Sequence, residues 1–379
     1  MFFAWNLMAR QKKILVVFGT RPEVIKLAPV VARAAETSDL LVEVLATAQH
    51  RELLDQASEI FNLRPDYDLG VMTSDQTPAD VCARVIAGTD RIIQKAKPDI
   101  VMVQGDTITA FAAGLAAFYR GVSVAHVEAG LRSFDIKNPF PEEVNRTLIS
   151  RFASFNFCPT ENARQNLLDE GVADETIFVT GNTVVDAIRD RIDDRFRHNP
   201  ERLGGVDPKE KKVILVTAHR RESFGEPMEE VFRSLVEIVD QRAGVHVVFP
   251  VHPNPRVQEM AARILEGRGR IHLVSPLGYL DFIHLMRDAV VILSDSGGVT
   301  EEAPTVATPV LLLRRVTERN EALDAGTARL VGTDRDTITD ETLRLLDDET
   351  ERAKFFVSDN PFGDGRAAQR IIDVLTERL

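Results

Sequence analysis

Short, continuously apolar runs rich in β-branched residues alternate with helix-like stretches along this chain, six times and then six times again. In the first half the runs are KILVVF, LVEVLAT, DIVMVQGD, VSVAHVE, FNFCPT and IFVTGN. In the second they are KVILVTAH, VHVVFPVH, RIHLVSP, VVILSDS, PVLLLRR and ARLVGTD. Continuous rather than alternating apolar character marks parallel strands covered on both faces. Between them, helical spacing recurs. From Pro22 to Ala34, Ile25, Ala28 and Val31 or Ala32 share one face, and Pro22 suits a first helical turn. Strand alternating with helix in two series predicts an α/β chain of two doubly wound domains. A length of 379 residues agrees with two cores of ordinary size.

The seam is expected after IFVTGN, where a polar, charge-rich stretch, RDRIDDRFRHNPERLGGVDPKEKK, joins the halves. This divides the chain into a first domain over 12–182, a second over 183–361, and a C-terminal amphipathic helix within 362–379 that packs back on the first domain. KKILVVFGTRPE and KKVILVTAHRRE, so alike, are then the first strand and first strand–helix turn of each domain. Ligands of open α/β sheets bind outside the carboxyl ends of the strands. Two such ends facing one another would make a cleft.

A net charge of −12 argues against general attraction to nucleic acid or an anionic membrane, so an anionic ligand needs a local cluster of cations. Two cysteines, Cys82 and Cys158, make neither a disulfide framework nor a Cys-rich metal site. The eight histidines show no H-x-x-x-H or H-E-x-x-H pairing, so no metal is expected. The opening MFFAWNLMARQKK lacks the basic region and cleavage site of a secretory signal, and no apolar run is long enough to span a bilayer. A cytoplasmic enzyme is the expectation.

The chemistry-bearing residues cluster at strand ends. GTRPEVIK sets Arg21 and Lys26 near a helix N-terminus, where cations oppose the dipole unless an anion sits between them; plain surface charge is the other reading. In SDSGGVTEE, Ser296, Gly297 and Gly298 lead into a helix carrying Glu302, and free backbone N–H groups there can hold phosphate. An ordinary Gly-Gly helix start reads the same way. Neither a Walker loop nor G-x-G-x-x-G is present, which weighs against a dinucleotide. Asp106 in QGDT, Glu128 in HVEAGLRS, beside His126 and Arg132, and Glu142 in NPFPEEVNR follow consecutive strands. Neighbouring carboxylates divide into acid and base roles. Glu143 more simply complements a helix dipole. In the second half His219, Arg220 and Arg221 end the first strand, and His252 and Arg319 also follow strands.

FGTRPEVIKLAP, TAQHRELLDQ, QGDT, HVEAGLRS, PEEVNR, TGNTVVDA, HRRESFG, SDSGGVTEEAP, TER and NPFGDG occur in order from Phe18 to Gly365. Together they resemble the non-hydrolysing UDP-N-acetylglucosamine 2-epimerases of bacteria. The resemblance implies a glycosyltransferase-B-like fold of two Rossmann-like domains. It also implies interconversion of UDP-GlcNAc and UDP-ManNAc, by loss of UDP to 2-acetamidoglucal and its re-addition, without a cofactor. Carried over motif by motif, Asp106, Glu128 and Glu142 become the acid–base candidates. Arg21, Lys26 and His219 would meet the phosphates, with His219 also a catalytic candidate. Ser296, Gly297 and Gly298 would hold the diphosphate, Glu302 the ribose and Arg319 the nucleotide. Gln49, His50, Glu52, Arg220 and His252 match a site where a second UDP-GlcNAc activates some members. A homodimer is expected. Thr300, Asn320, Ala218 and the pair Ile108 and Ala110 depart from the family pattern, and none removes a charged candidate.

Three rivals share much of this architecture: a hydrolysing epimerase releasing ManNAc and UDP, a glycosyltransferase, and a non-catalytic sugar-nucleotide sensor. The acidic rim argues against an acceptor groove. Asp106, Glu128, Glu142 and His219 together argue against a mere sensor.

Overall fold

The computed structural model describes residues 10–47, 51–73, 76–220, 223–357 and 360–379, with only the backbone of 51–55. Its strands, in chain order, are β1 (Lys12–Phe18), β2 (Leu40–Ala46), β3 (Tyr67–Asp68), β4 (Ile100–Gln104), β5 (Ser123–Val127), β6 (Phe155–Cys158) and β7 (Ile177–Val179). They continue with β8 (Lys212–Thr217), β9 (Val245–Pro250), β10 (Ile271–Val274), β11 (Val291–Ser294), β12 (Val310–Leu312) and β13 (Ala328–Leu330). The first sheet runs β3-β2-β1-β4-β5-β6-β7 and the second β10-β9-β8-β11-β12-β13. Every pairing among the described residues is parallel. All twelve apolar runs became strands, joined by β3, a two-residue edge strand. No apolar run foretold β3, because it exists only through its pairing with Leu45 and Ala46.

Both faces of β1 are buried, and successive side chains take opposite sides. Ile14, Val16 and Phe18 join one core, Leu15 and Val17 the other. The first of these cores also receives Ala368, Ile371, Ile372 and Leu375 from the C-terminal helix Ala367–Arg378. Asp186 secures that helix by accepting its first N–H groups, from Ala367 at 3.2 Å and Ala368 at 2.9 Å. A carboxylate there complements the helix dipole. The chain accordingly divides into one compact unit that ends at Ala187 and takes back Gly363–Leu379, and another over Ile188–Phe362. Thr183–Arg189, placed by the sequence reading in the second domain, forms a helix that spans this division.

The helix after β1 runs Arg21–Ala35. Ile25 and Ala28 are buried as expected, whereas Ala32 is exposed and Val31 only half covered. Glu23 and Lys26 are buried on this helix instead, so its inner face carries charge at the end nearest the strand tips. In each sheet the order reverses beside the first strand, between β1 and β4 and between β8 and β11. Those two reversals are where doubly wound sheets open a crevice for ligands.

Candidate active site

In the first unit, the turn after β1 is built around Glu23. One of its carboxylate oxygens accepts from the Gly19 N–H at 2.9 Å, the Thr20 N–H at 2.7 Å and the Thr20 hydroxyl at 2.8 Å. The other accepts from the Thr107 hydroxyl at 2.7 Å, which ties the turn after β4 to the turn after β1. Burial pushes the Glu23 carboxyl up, and these hydrogen bonds offset only part of that. Glu23 was not among the expected site residues, although Thr20 and Glu23 show the T-x-x-E spacing of a capping box. Gly19 is fixed by space: a Cβ would lie 2.3 Å from the hydroxyls of Thr47 and Thr109, which bond each other at 2.8 Å.

Lys26 forms an ion pair with Glu128, both side chains nearly buried. The anion that offsets this cation near a helix start is therefore a protein carboxylate. Glu128 also accepts from Asn182 at 3.2 Å and sits at φ +66, a left-handed backbone that costs a non-glycine residue roughly 1–3 kcal/mol. Strain of this sort persists where neighbours over-determine a geometry, as Lys26 and Asn182 do here. Arg21, half-buried at the same helix start, has no partner among the described residues.

Asp106, just past β4, is paired at 2.6 Å with the buried Arg146, whose helix is Glu142–Phe152. Arg146 also lies 3.5 Å from Glu143. Glu143 itself accepts from the Ser133 and Phe134 N–H groups at 3.1 and 2.9 Å, so it organises a loop. Arg146 stood inside the PEEVNR motif without being singled out; only the fold shows that it serves Asp106. Glu142 opens the helix between β5 and β6, so it follows the same strand as Glu128 and not a third one as the sequence suggested; it is half-buried, with no hydrogen-bond or ion-pair partner among the described residues. His126 is fully buried and donates from Nε2 to the Gly105 carbonyl at 2.7 Å. Burial, helped by Arg132 and Arg146, pulls its imidazole down to about 4, so it braces the Asp106 turn as a neutral group. Arg132 is spent on Glu170, at 2.7 and 2.9 Å.

In the second unit a buried carboxylate again fastens the switch point. Asp295, directly after β11, accepts the N–H groups of His219 and Arg220 at 2.7 and 2.8 Å through Oδ2. Its Oδ1 stands 3.1 Å from His219 Nδ1. Burial pushes the Asp295 carboxyl up, but His219 and the two N–H groups outweigh it, leaving the group below the usual carboxylate range. Asp295 too was passed over in the sequence, though it lies within SDSGG. His252 stacks on His219 with ring centroids 5.2 Å apart, and burial followed by the His219 charge pulls its imidazole down.

Ser296 precedes the short helix Gly297–Glu302, on which Glu302 is half-buried. The first N–H groups of any helix lack intrahelical partners. A Cβ on Gly297 would lie 2.7 Å from the Arg319 guanidinium carbon. Arg319 is held over that glycine by Glu301 at 3.0 Å and Glu318 at 3.3 Å. Burial pushes Glu318 up, yet Arg319 and Arg314 bring it down to about 2. The Gly-Gly turn and Arg319 therefore form one assembly. Of the residues matched to an activator site, Gln49 and His50 and the side chain of Glu52 lie outside the described residues, as does Arg221. Arg220 donates from Nε to the Asp295 carbonyl at 3.2 Å. Among the described residues, no group of three or more His, Cys, Asp or Glu could hold a metal ion, and no helix is long and apolar enough to cross a membrane.

The family model described as UDP-N-acetylglucosamine 2-epimerase matches residues 32–376. The UDP-N-acetylglucosamine 2-epimerase of Escherichia coli K12 is 48% identical over 369 residues, 96% of this chain and 98% of that protein. Staphylococcus aureus MnaA, solved with UDP, superposes with a TM-score of 0.89 at 44% identity, covering 97% of this chain and 96% of its own. The Neisseria meningitidis UDP-GlcNAc 2-epimerase bound to UDP-GlcNAc gives 0.88 at 39% identity, covering 97% and 100%. Acinetobacter baumannii MurG, 14% identical with a TM-score of 0.57 over 97% and 99%, shares the glycosyltransferase-B-like fold alone. Two parallel α/β units with their polar groups at the switch points, and identity near one half along almost the full length, place the chain in the UDP-N-acetylglucosamine 2-epimerase family.

Proposed function

We propose that the protein interconverts UDP-GlcNAc and UDP-ManNAc without hydrolysis. The C2 proton leaves to a carboxylate, the C1–oxygen bond breaks, and UDP departs with the electron pair to leave 2-acetamidoglucal. UDP then adds back as a proton arrives at C2 from the opposite face. One observation carries this reading: three carboxylates follow two neighbouring strands of one sheet, Asp106 after β4 and both Glu128 and Glu142 after β5, two with a cation partner and one with none among the described residues. Asp106, held by Arg146, and Glu128, held by Lys26, are assigned to take the proton, and Glu142 to supply one. Arg21, Lys26 and His219 are assigned to the phosphates, Ser296, Gly297 and Gly298 to the diphosphate, Glu302 to the ribose and Arg319 to the nucleotide. The test is proton NMR of UDP-GlcNAc with the purified protein. UDP-ManNAc should accumulate to a fixed ratio with no free ManNAc, whereas stoichiometric ManNAc and UDP would favour the hydrolysing alternative.

The same proposal places the protein in the cytoplasm, where nucleotide sugars are made, as a homodimer. Val144 and Leu148 form an exposed apolar stripe on the helix Glu142–Phe152. The stripe continues through Phe152 to Phe118, ring centroids 5.6 Å apart, and to Tyr119. Such a patch marks an interaction surface. Leu148→Glu should convert the dimer to monomer in sedimentation velocity; a wild-type monomer at micromolar concentration would end this part of the proposal. Arg220 and His252, beside His219, support an activator role for a second UDP-GlcNAc. In that case UDP-ManNAc alone turns over slowly until a trace of UDP-GlcNAc is added.

A further inference from the structure

We infer that Asp295 is a positioning residue for His219, fixing which imidazole nitrogen carries the proton and presenting Nε2 at the carboxyl end of β8. The inference rests on the proposed reaction for its consequence, but on geometry for its substance. Asp295 is 1% exposed, and its two oxygens have separate tasks. Oδ2 takes both backbone N–H groups of the turn, at 2.7 and 2.8 Å. Oδ1 is fully buried and accepts no hydrogen bond from the described residues, and the imidazole edge of His219, its ion-pair neighbour, stands 3.1 Å away through Nδ1. A buried carboxylate oxygen without a donor is costly, so the proton of His219 belongs on Nδ1. The ring is held from its face as well, by His252 stacked 13° from parallel.

The consequence is directional. With Nδ1–H turned to Asp295, Nε2 is the only nitrogen that can exchange a proton or meet an anion outside the turn. His219 is 38% exposed, against 1% for its partner, so that second edge is accessible. When a diphosphate leaves a sugar, a proton-bearing Nε2 facing it supplies charge that the ground state does not need, and Asp295 balances the imidazolium from behind. An oriented His–carboxylate pair works this way in other enzymes, where the carboxylate sets tautomer and orientation without itself moving a proton.

Asp295→Asn separates this role from simple turn-holding. The asparagine Oδ1 can keep both backbone N–H contacts, while its NH₂ faces Nδ1 and demands the opposite tautomer. Long-range ¹H–¹⁵N NMR at a pH where the imidazole is neutral should show His219 protonated on Nδ1 in the wild type and on Nε2 in the variant. kcat should fall roughly 10²-fold or more, with the UDP dissociation constant held within about threefold, within the ordinary context-dependence of such contacts. In a His219→Gln background the Asp295→Asn change should cost nothing further. A wild-type His219 protonated on Nε2 overturns the inference even if the variant fails to fold. So does an equal kcat loss in the His219→Gln background, which would make Asp295 merely structural. A wild type that inverts its tautomer on substitution yet never epimerises UDP-GlcNAc would refute the functional reading and leave the positioning role standing.

Discussion

Glu142→Gln is expected to lower kcat by about 10²- to 10⁴-fold, while UDP affinity and thermal stability stay near wild type. The size follows from the chemistry. Reprotonating C2 from the face opposite to abstraction needs a second group, because one carboxylate cannot readily reach both faces. The selectivity follows from the structure. Glu142 is half-buried and has no partner among the described residues, so an isosteric amide leaves no buried charge behind. Asp106→Asn and Glu128→Gln are less clean, since each would remove a nearly buried ion pair, with Arg146 or Lys26, along with any acid–base role. Steady-state kinetics beside UDP calorimetry checks the prediction. Near-wild-type turnover in Glu142→Gln would reduce that residue to a helix-start glutamate.

Lys26→Met should destabilise the protein by about 3–5 kcal/mol, the usual result of stripping one partner from a buried ion pair. The side chains of Lys26 and Glu128 are 11% and 8% exposed, so little solvent screens the carboxylate left behind. That carboxylate sits on a backbone at φ +66, which gives the state without Lys26 a second reason to rearrange. Arg21→Ala makes the contrast. With no partner among the described residues, its loss should alter stability by no more than about 0.5 kcal/mol, while a lost phosphate contact of roughly 1.5–3 kcal/mol weakens UDP about tenfold or more. Urea unfolding and UDP calorimetry on both variants separate the two cations. A Lys26→Met protein of unchanged stability would show that the pair contributes nothing; unchanged UDP affinity in Arg21→Ala would remove Arg21 from the site.

All the strands but β3 were legible because each is a continuous apolar run, and their ends were legible because polar residues stop those runs abruptly. What joins the ends was not. Lys26 and Glu128 lie 102 residues apart, and Glu23 meets Thr107 across 84, so no local pattern pairs them. Asp295 and His219 are 76 apart and meet only because β8 and β11 are neighbours in the sheet. Arg146 was visible only as one more residue of the PEEVNR motif, and its service to Asp106 depends on where the helix Glu142–Phe152 packs. Strand order can be inferred from a doubly wound pattern, so the residues beside each reversal were findable in principle. The T-x-x-E spacing of Thr20 and Glu23 was the one local clue to a structural carboxylate there.

The claim beneath all of these assignments is that the C2–hydrogen bond breaks during turnover, and incubation of UDP-GlcNAc with the enzyme in D₂O tests it most directly. Proton NMR should show the C2 hydrogen replaced by deuterium in the UDP-ManNAc formed, and in UDP-GlcNAc as it re-forms, with Glu142→Gln slowing that exchange. Epimerisation that retains the original hydrogen at C2 would contradict the account and require a route, such as transient oxidation, for which Asp106, Glu128 and Glu142 are not the acid–base groups.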